Sequence, residues 1–168
     1  MRVARIYHAS VVDGPGCRSV LQLQGCPIRC PGCYVPETHD PDGGVALSVD
    51  DVVTALLHPS GTPRDGVTVL GGEPLFQPQG LAALLRELKA AGIHTVVYSG
   101  YTLEALARRR EPEVHEVLRL TDLLVDGPFV RSRATGAGEW RGSRNQRLIP
   151  NPAMALAADE GYARSGQP

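Results

Sequence analysis

Four short apolar runs in this chain each lead directly into a loop built on glycine, and most of them give way to a helical stretch. Arg18 to Gln24 alternates polar and apolar residues and ends at Gly25-Cys26. Gly66 to Leu70 ends at Gly71-Gly72-Glu73-Pro74, His94 to Tyr98 at Ser99-Gly100-Tyr101, and Leu123 to Val125 at Asp126-Gly127-Pro128. Between them lie helical patterns. Ser48 and Asp51 form a capping box ahead of an apolar face of Val49, Val52, Val53, Leu56 and Leu57. A second helix is predicted from Gln79 to Ala91, with Leu81, Leu84, Leu85 and Leu88 as its stripe and Gly92 as its stop. Thr102 to Arg110 and Glu113 to Arg119 read as helices on either side of a break at Pro112. Strands alternating with helices at this spacing require right-handed crossovers and a mainly parallel sheet. The predicted fold is therefore α/β, a small partial barrel, with all four loops gathered on the rim formed by the carboxyl ends of the strands.

A chain of 168 residues with 42% hydrophobic content supports one domain with a real core. That domain is expected to span residues 1–150, and residues 151–168 read as a weak helix and a tail that frays at Ser165-Gly166-Gln167-Pro168. The net charge of -1 creates no demand for a polyanionic partner, so no nucleic-acid role is expected. Met1-Arg2-Val3-Ala4-Arg5 lacks the apolar stretch of a secretion signal and no later run reaches membrane-spanning length, which predicts a cytoplasmic protein without a membrane partner.

Cys26, Cys30 and Cys33 fall within eight residues, and a fourth cysteine, Cys17, stands apart. Clustered thiols in a reducing compartment hold metal more often than they form disulfides. Three thiolates favour iron–sulfur clusters or zinc, and both normally take four protein ligands, so one coordination position is left for a non-protein group. Structural zinc would need Cys17, His8 or His39 as a fourth ligand, and buried or redox thiols are the remaining alternative. Cys17 itself reads as a free thiol packed like a small hydrophobe. His58, His94 and His115 read as surface residues.

The order Cys26-x3-Cys30-x2-Cys33, then Gly71-Gly72-Glu73-Pro74 after the next strand, resembles the radical S-adenosylmethionine superfamily. The resemblance implies that the three cysteines hold a [4Fe–4S] cluster whose unique iron is chelated by the amino and carboxylate groups of S-adenosylmethionine. One electron from the cluster then splits the sulfonium, and the 5′-deoxyadenosyl radical removes a hydrogen atom from the substrate. Val12-Asp13-Gly14-Pro15-Gly16-Cys17-Arg18 is similar to the signature of glycyl-radical enzyme activases. Tyr98-Ser99-Gly100-Tyr101-Thr102, Leu124-Val125-Asp126-Gly127 and Trp140-Arg141-Gly142-Ser143-Arg144-Asn145-Gln146-Arg147 resemble later blocks of the anaerobic ribonucleoside-triphosphate reductase activating proteins. The match runs from about Asp13 to Ile149.

By that resemblance Gly32, Cys33 and Tyr34 would lie against the cofactor, with the Tyr34 ring as a wall for adenine. Gly72 and Glu73 would face the methionyl group, and Ser99 and Asp126 would reach ribose or carboxylate groups. For Ser99 and Asp126, a turn or capping role stands beside the ligand role. The implied partners are an anaerobic ribonucleotide reductase or another glycyl-radical protein, and an external one-electron donor such as flavodoxin. A stand-alone enzyme acting on a peptide or small metabolite, and a noncatalytic zinc or iron–sulfur module, are the competing functions.

Overall fold

Seven strands form one sheet in the order β3-β1-β2-β4-β5-β6-β7. The structure, a computed structural model, describes residues 1–57 and 64–165, and of residues 159–165 it describes the backbone alone. The strands are β1 (Arg2–Ser10), β2 (Arg18–Leu23), β3 (Val45–Ala46), β4 (Gly66–Gly71), β5 (Thr95–Ser99), β6 (Leu123–Asp126) and β7 (Arg147–Pro150). The helices are α1 (Val49–Leu57), α2 (Pro78–Ala90), α3 (Leu103–Ala107), α4 (Pro112–Leu120) and α5 (Pro152–Ser165). The central pairs β2/β4, β4/β5 and β5/β6 are parallel, as the strand–helix alternation requires. The flanking pairs β1/β2, β1/β3 and β6/β7 are antiparallel, so the sheet is mixed.

All four sequence-predicted strands and the helices between them form close to their expected bounds. Ser48 Oγ accepts from the Asp51 N–H (3.0 Å) and donates to Asp51 Oδ2 (2.6 Å), which starts α1. Thr102 caps α3 in the same way, accepting from the Ala105 N–H (3.3 Å). Pro112 opens α4 at its first position, where a missing N–H costs nothing, and Gly92 ends α2 with φ +70°. The helix expected after Asn151 forms, and Ala155 and Leu156 of its first turns pack against the core. His58 and Gly166 to Pro168 lie outside the described residues.

Strand alternation divides the sheet into two unlike faces. Leu21, Leu23, Val67, Val69, Val97 and Leu124 point into one core with Leu56 of α1, Leu81, Leu84, Leu85 and Leu88 of α2, and Val114 and Val117 of α4. Val20, Gln22, Thr68, Leu70, Val96 and Tyr98 occupy the opposite face. Residues from β1, β2, β4, β5 and the β6–β7 loop all line a single cavity on that side, so the sheet curls around it as a partial barrel.

The far end of this face is closed by an unusual plug. Arg18 is 1% exposed and forms no direct ion pair among the described residues. Its guanidinium donates to Thr68 Oγ1 (2.6 Å) and to the carbonyls of Val67 (2.7 Å), Pro15 (3.0 Å) and His94 (3.0 Å). Thr68 Oγ1 in turn donates to the Asp13 carbonyl (2.7 Å), so the Asp13–Cys17 loop is anchored to the start of β4. Burial pulls the Arg18 guanidinium down from its ordinary value, against weaker opposite pulls from Tyr98, Asp65 and Asp122.

Candidate functional site

The cysteine loop leaves β2 and is tied at both ends by backbone hydrogen bonds. The Gly25 N–H donates to Thr38 O (2.8 Å), the Cys26 N–H to His39 O (3.2 Å) and the Cys33 N–H to Cys30 O (3.1 Å). Arg29 sits at φ +48° and Gly32 at φ +76°, a backbone folded back on itself as such functional loops often are. Cys26, Cys30 and Cys33 are free, half-buried and all line the same cavity of about 520 Å³. The Val35 N–H donates to Cys33 Sγ at 3.5 Å. Burial pushes the Cys26 thiol up, against a weaker opposite pull from the Arg29 and Ile28 N–H groups.

The end of β4 meets the end of β2 across two glycines. The Gly72 N–H donates to Leu23 O (2.8 Å) and the Glu73 N–H to Gly25 O (2.9 Å). A Cβ at position 72 would collide with the Gly25 carbonyl oxygen, and one at position 71, where φ is +122°, would collide with the Leu23 backbone. Only glycine permits this approach. It places Glu73 in the cavity wall, 1% exposed, with its carboxylate accepting from the N–H groups of Leu75 (2.9 Å) and Gly100 (2.8 Å) and from Ser99 Oγ (2.9 Å). Burial pushes the Glu73 carboxyl up to about 7, although these donors favour its charged form.

The cavity therefore gathers Cys26, Cys30, Cys33, Tyr34, Gly72, Glu73 and Ser99. Tyr34 is 71% exposed and lies against Phe129, ring centroids 4.8 Å apart, which joins the cysteine loop to the β6–β7 loop. Ser99 accepts from the Tyr101 N–H (3.1 Å) as well as donating to Glu73, so it holds its turn and orients the acid.

Two of the expected contacts, Gly32 and Asp126, are not among the residues that line the cavity. Gly32 is exposed at the outer side of the loop, against the Arg131 side chain. Asp126 is fully buried away from the cavity lining. It accepts from the Leu103 N–H (2.6 Å) at the start of α3 and pairs with Arg147, whose Nε lies 2.9 Å from Oδ1. A carboxylate at a strand end reaches the nearest helix N-terminus more readily than a ligand, and here a guanidinium from β7 also takes it. Of the other cysteine and histidines, Cys17 lies at the opposite end of β2, roughly 20 Å of strand away from the cysteine loop, with its N–H bonded to Asp65 Oδ2 (2.8 Å). His8 bonds Ser19 Oγ (2.9 Å), whereas His39 lines the cavity.

Tyr7, Gln22, Tyr98, Trp140 and Arg141 also line the cavity, and sequence reasoning did not single them out as cofactor contacts. Tyr98 Oη donates to the Trp140 carbonyl (2.7 Å), holding a segment in which Trp140 adopts φ +57°. The available signal was the period of β2 and β5, which puts Gln22 and Tyr98 on the helix-free face.

Residues 12–149 match the family model described as a 4Fe-4S single cluster domain. An anaerobic ribonucleoside-triphosphate reductase-activating protein from Salmonella typhi is 35% identical over 153 residues, covering 87% of this chain and 96% of that protein. The chain belongs to this activating-protein family. The phage T4 member is 33% identical over 90% of this chain and 95% of its own. The pyruvate formate-lyase-activating enzyme of Clostridium pasteurianum is 36% identical over 74% of this chain and 50% of that enzyme. Among solved structures, QueE from Escherichia coli matches in fold, with a TM-score of 0.52 and 20% identity over 60% of this chain and 53% of QueE. The activase is thus a radical S-adenosylmethionine enzyme using a [4Fe–4S] cluster and S-adenosylmethionine.

The donor set fits that pair. Among the described residues no three His, Cys, Asp or Glu side chains close around a single ion, as tetrahedral zinc requires. A cubane asks less, because each thiolate binds its own iron, and three half-buried thiols around one cavity meet that need.

Three predictions follow from this geometry. Cys30→Ser abolishes iron retention after anaerobic reconstitution, and Cys17→Ser leaves it unchanged, as read by iron analysis. Asp126→Asn lowers stability by about 2–4 kcal/mol in denaturant unfolding while the folded protein keeps its affinity for S-adenosylmethionine. Glu73 has its folded pKa raised above the ordinary 4.5, so its contribution is fully present below that value and is lost as pH rises through about 7. Metal-free protein therefore loses on the order of 2–3 kcal/mol between pH 4.5 and 8 that Glu73→Gln does not lose, measured by unfolding at each pH.

Proposed function

We propose that this activase generates a glycyl radical on an anaerobic ribonucleotide reductase by removing a hydrogen atom from one glycine of that partner. The observation that carries the reading is the joint placement of the cysteine loop and Glu73 on one cavity. Exposed apolar side chains stand at its mouth, Val12 at 70% and Tyr34 at 71%, which suits a macromolecular partner better than a small metabolite. The activating proteins of Salmonella typhi and phage T4 are named for action on the same class of reductase.

When bound, the cluster and S-adenosylmethionine supply one-electron cleavage of the sulfonium and the hydrogen-atom abstraction that follows. Cys26, Cys30 and Cys33 hold the cluster. Gly72 admits the methionyl end close to backbone, and Glu73, steadied by Ser99, receives its ammonium. Tyr34 bounds the adenine at the rim. Phe129 and Trp140 add apolar lining to the cavity. A small acidic electron-transfer protein such as flavodoxin delivers the electron, and the reaction takes place in the cytoplasm. No helix among the described residues is long and apolar enough to cross a membrane, and the near-neutral charge gives nucleic acid no role.

The test is anaerobic incubation of the reconstituted activase with reductant, S-adenosylmethionine and the anaerobic reductase of the same genome. The expected result is a glycyl-radical signal in electron paramagnetic resonance, absent when the reductase glycine is replaced by alanine. Release of 5′-deoxyadenosine only on addition of a small molecule, with no signal on the reductase, would falsify this reading.

A further inference from the structure

One polar side chain on the floor of the cavity has no task in the free protein. Gln22, in the middle of β2, is 6% exposed and lines the cavity. The other inward carboxamides are engaged. Gln24 Nε2 donates to Glu37 O (3.0 Å) and Asp40 O (2.7 Å), and Gln77 Nε2 donates to Arg2 O and Gln24 O (2.9 Å each). Gln146 Oε1 accepts from the N–H groups of Gly142 (2.7 Å) and Ser143 (3.1 Å), and its Nε2 donates to Gly127 O (3.0 Å). Among the described residues the Gln22 carboxamide has no protein partner. Its amide atoms stay accessible from the cavity while the rest of the side chain is buried, so the carboxamide is free to pair with what enters.

The surroundings narrow the chemistry. Leu70 is the register partner of Gln22 on β4, and Tyr98 lies on the same face one strand further on. The charged side chains that line the cavity, Asp13, Glu73 and Arg141, come from loops at its edge, and Arg5, the register partner of Gln22 on β1, carries its guanidinium over the Tyr7 ring, 5.1 Å from the centroid. Asp13 is already taken on Oδ2 by the hydroxyls of Tyr7 (3.0 Å) and Ser10 (2.5 Å). A carboxamide facing the cavity offers donor hydrogens beside an acceptor, the complement of one peptide unit. A glycine offers nothing but its backbone for recognition. Gln22 also sits on the strand body, below the rim where the cysteine loop and Glu73 occupy the strand ends.

We propose that Gln22 reads the backbone of the partner's glycine-bearing segment, its carboxamide pairing with one peptide unit. This rests on the activase reading above. Gln22 is then a specificity-determining residue for the protein substrate, separate from the groups that hold the cofactor.

Gln22→Met tests it, because methionine keeps the length and approximate volume of the side chain and removes both donor and acceptor. Three quantities are measured beside wild type: melting temperature, the change that S-adenosylmethionine causes in the resonance of the reduced cluster, and KM for the reductase in glycyl-radical formation. The inference expects a melting temperature at or above wild type, an unchanged response to S-adenosylmethionine, and a KM raised roughly tenfold to a hundredfold, as for one or two lost hydrogen bonds. An unchanged KM overturns it. A weakened response to S-adenosylmethionine also overturns it by assigning Gln22 to the cofactor, whose adenine edge likewise carries a donor beside an acceptor. A lowered melting temperature overturns it by making Gln22 structural. If wild type itself forms no radical on the reductase, the activase reading fails and this inference with it; if wild type succeeds and Gln22→Met equals it, the inference alone fails.

Discussion

The backbone of Gly71 and Gly72 presses against the backbone of Leu23 to Gly25 with no side chain between them, and the site depends on that approach. Two parallel strands bring their carboxyl ends together wherever a crossover helix joins them. Here the hydrogen bonds from Gly72 to Leu23 and from Glu73 to Gly25 continue the pairing past the strand ends and into the loops. The cysteine loop and the acid are thereby fixed relative to each other by main chain, the least mobile material available. Arg29 at positive φ and the bonds from Gly25 and Cys26 to Thr38 and His39 then set the path of the loop over the cavity.

Electrostatics follow from this packing. Glu73 is held in a nearly dry wall by three donors, and burial still outweighs them, which pushes its carboxyl up to about 7. Asp126, two strands further along the sheet, shows the opposite solution. Its carboxylate is saturated by the α3 N-terminus and by Arg147, and Arg147 also forms a two-pronged pair with Glu104 (2.8 and 2.9 Å). One strand-end acid lines the cavity and the other locks β7 and α3 to the sheet. At the far end of the cavity, Arg18 performs a similar locking task with neutral partners alone, holding the Asp13 loop by way of Thr68.

The edges of the sheet were not legible in the sequence. β1 carries register irregularities between Val3 and Arg5 and between Tyr7 and Ser10, with Ala9 at φ +59°. Each irregularity shifts the phase of side-chain alternation, so a period-two reading of residues 2–10 finds no strand. β7 is four residues long and ends in Pro150, and β3 has two residues; such edge segments carry little pattern of their own. The central strands were legible because both their faces are covered and their lengths and apolar content follow from that. Within the site, the cysteines, Gly72, Glu73, Tyr34 and Ser99 were legible through motif and loop position. Gln22, Tyr7 and Trp140 were not, because nothing local marks a glutamine in a strand, a tyrosine in an irregular strand or a tryptophan in a polar loop as facing a cavity.

The amino-acid sequence alone determined the alternation of strand and helix, the rim on which the loops gather, and the ligand chemistry of three clustered thiols with a glycine pair and an acid after the next strand. These are consequences of side-chain period and of donor type, both of which are local. Tertiary structure decided which strand-end acid faces the cavity and which is consumed by a helix end and an arginine. It also decided that Cys17 lies a strand's length from the other thiols and that Gln22 stands unpaired on the floor. Those outcomes depend on distances between segments far apart in the chain, and no local period encodes them.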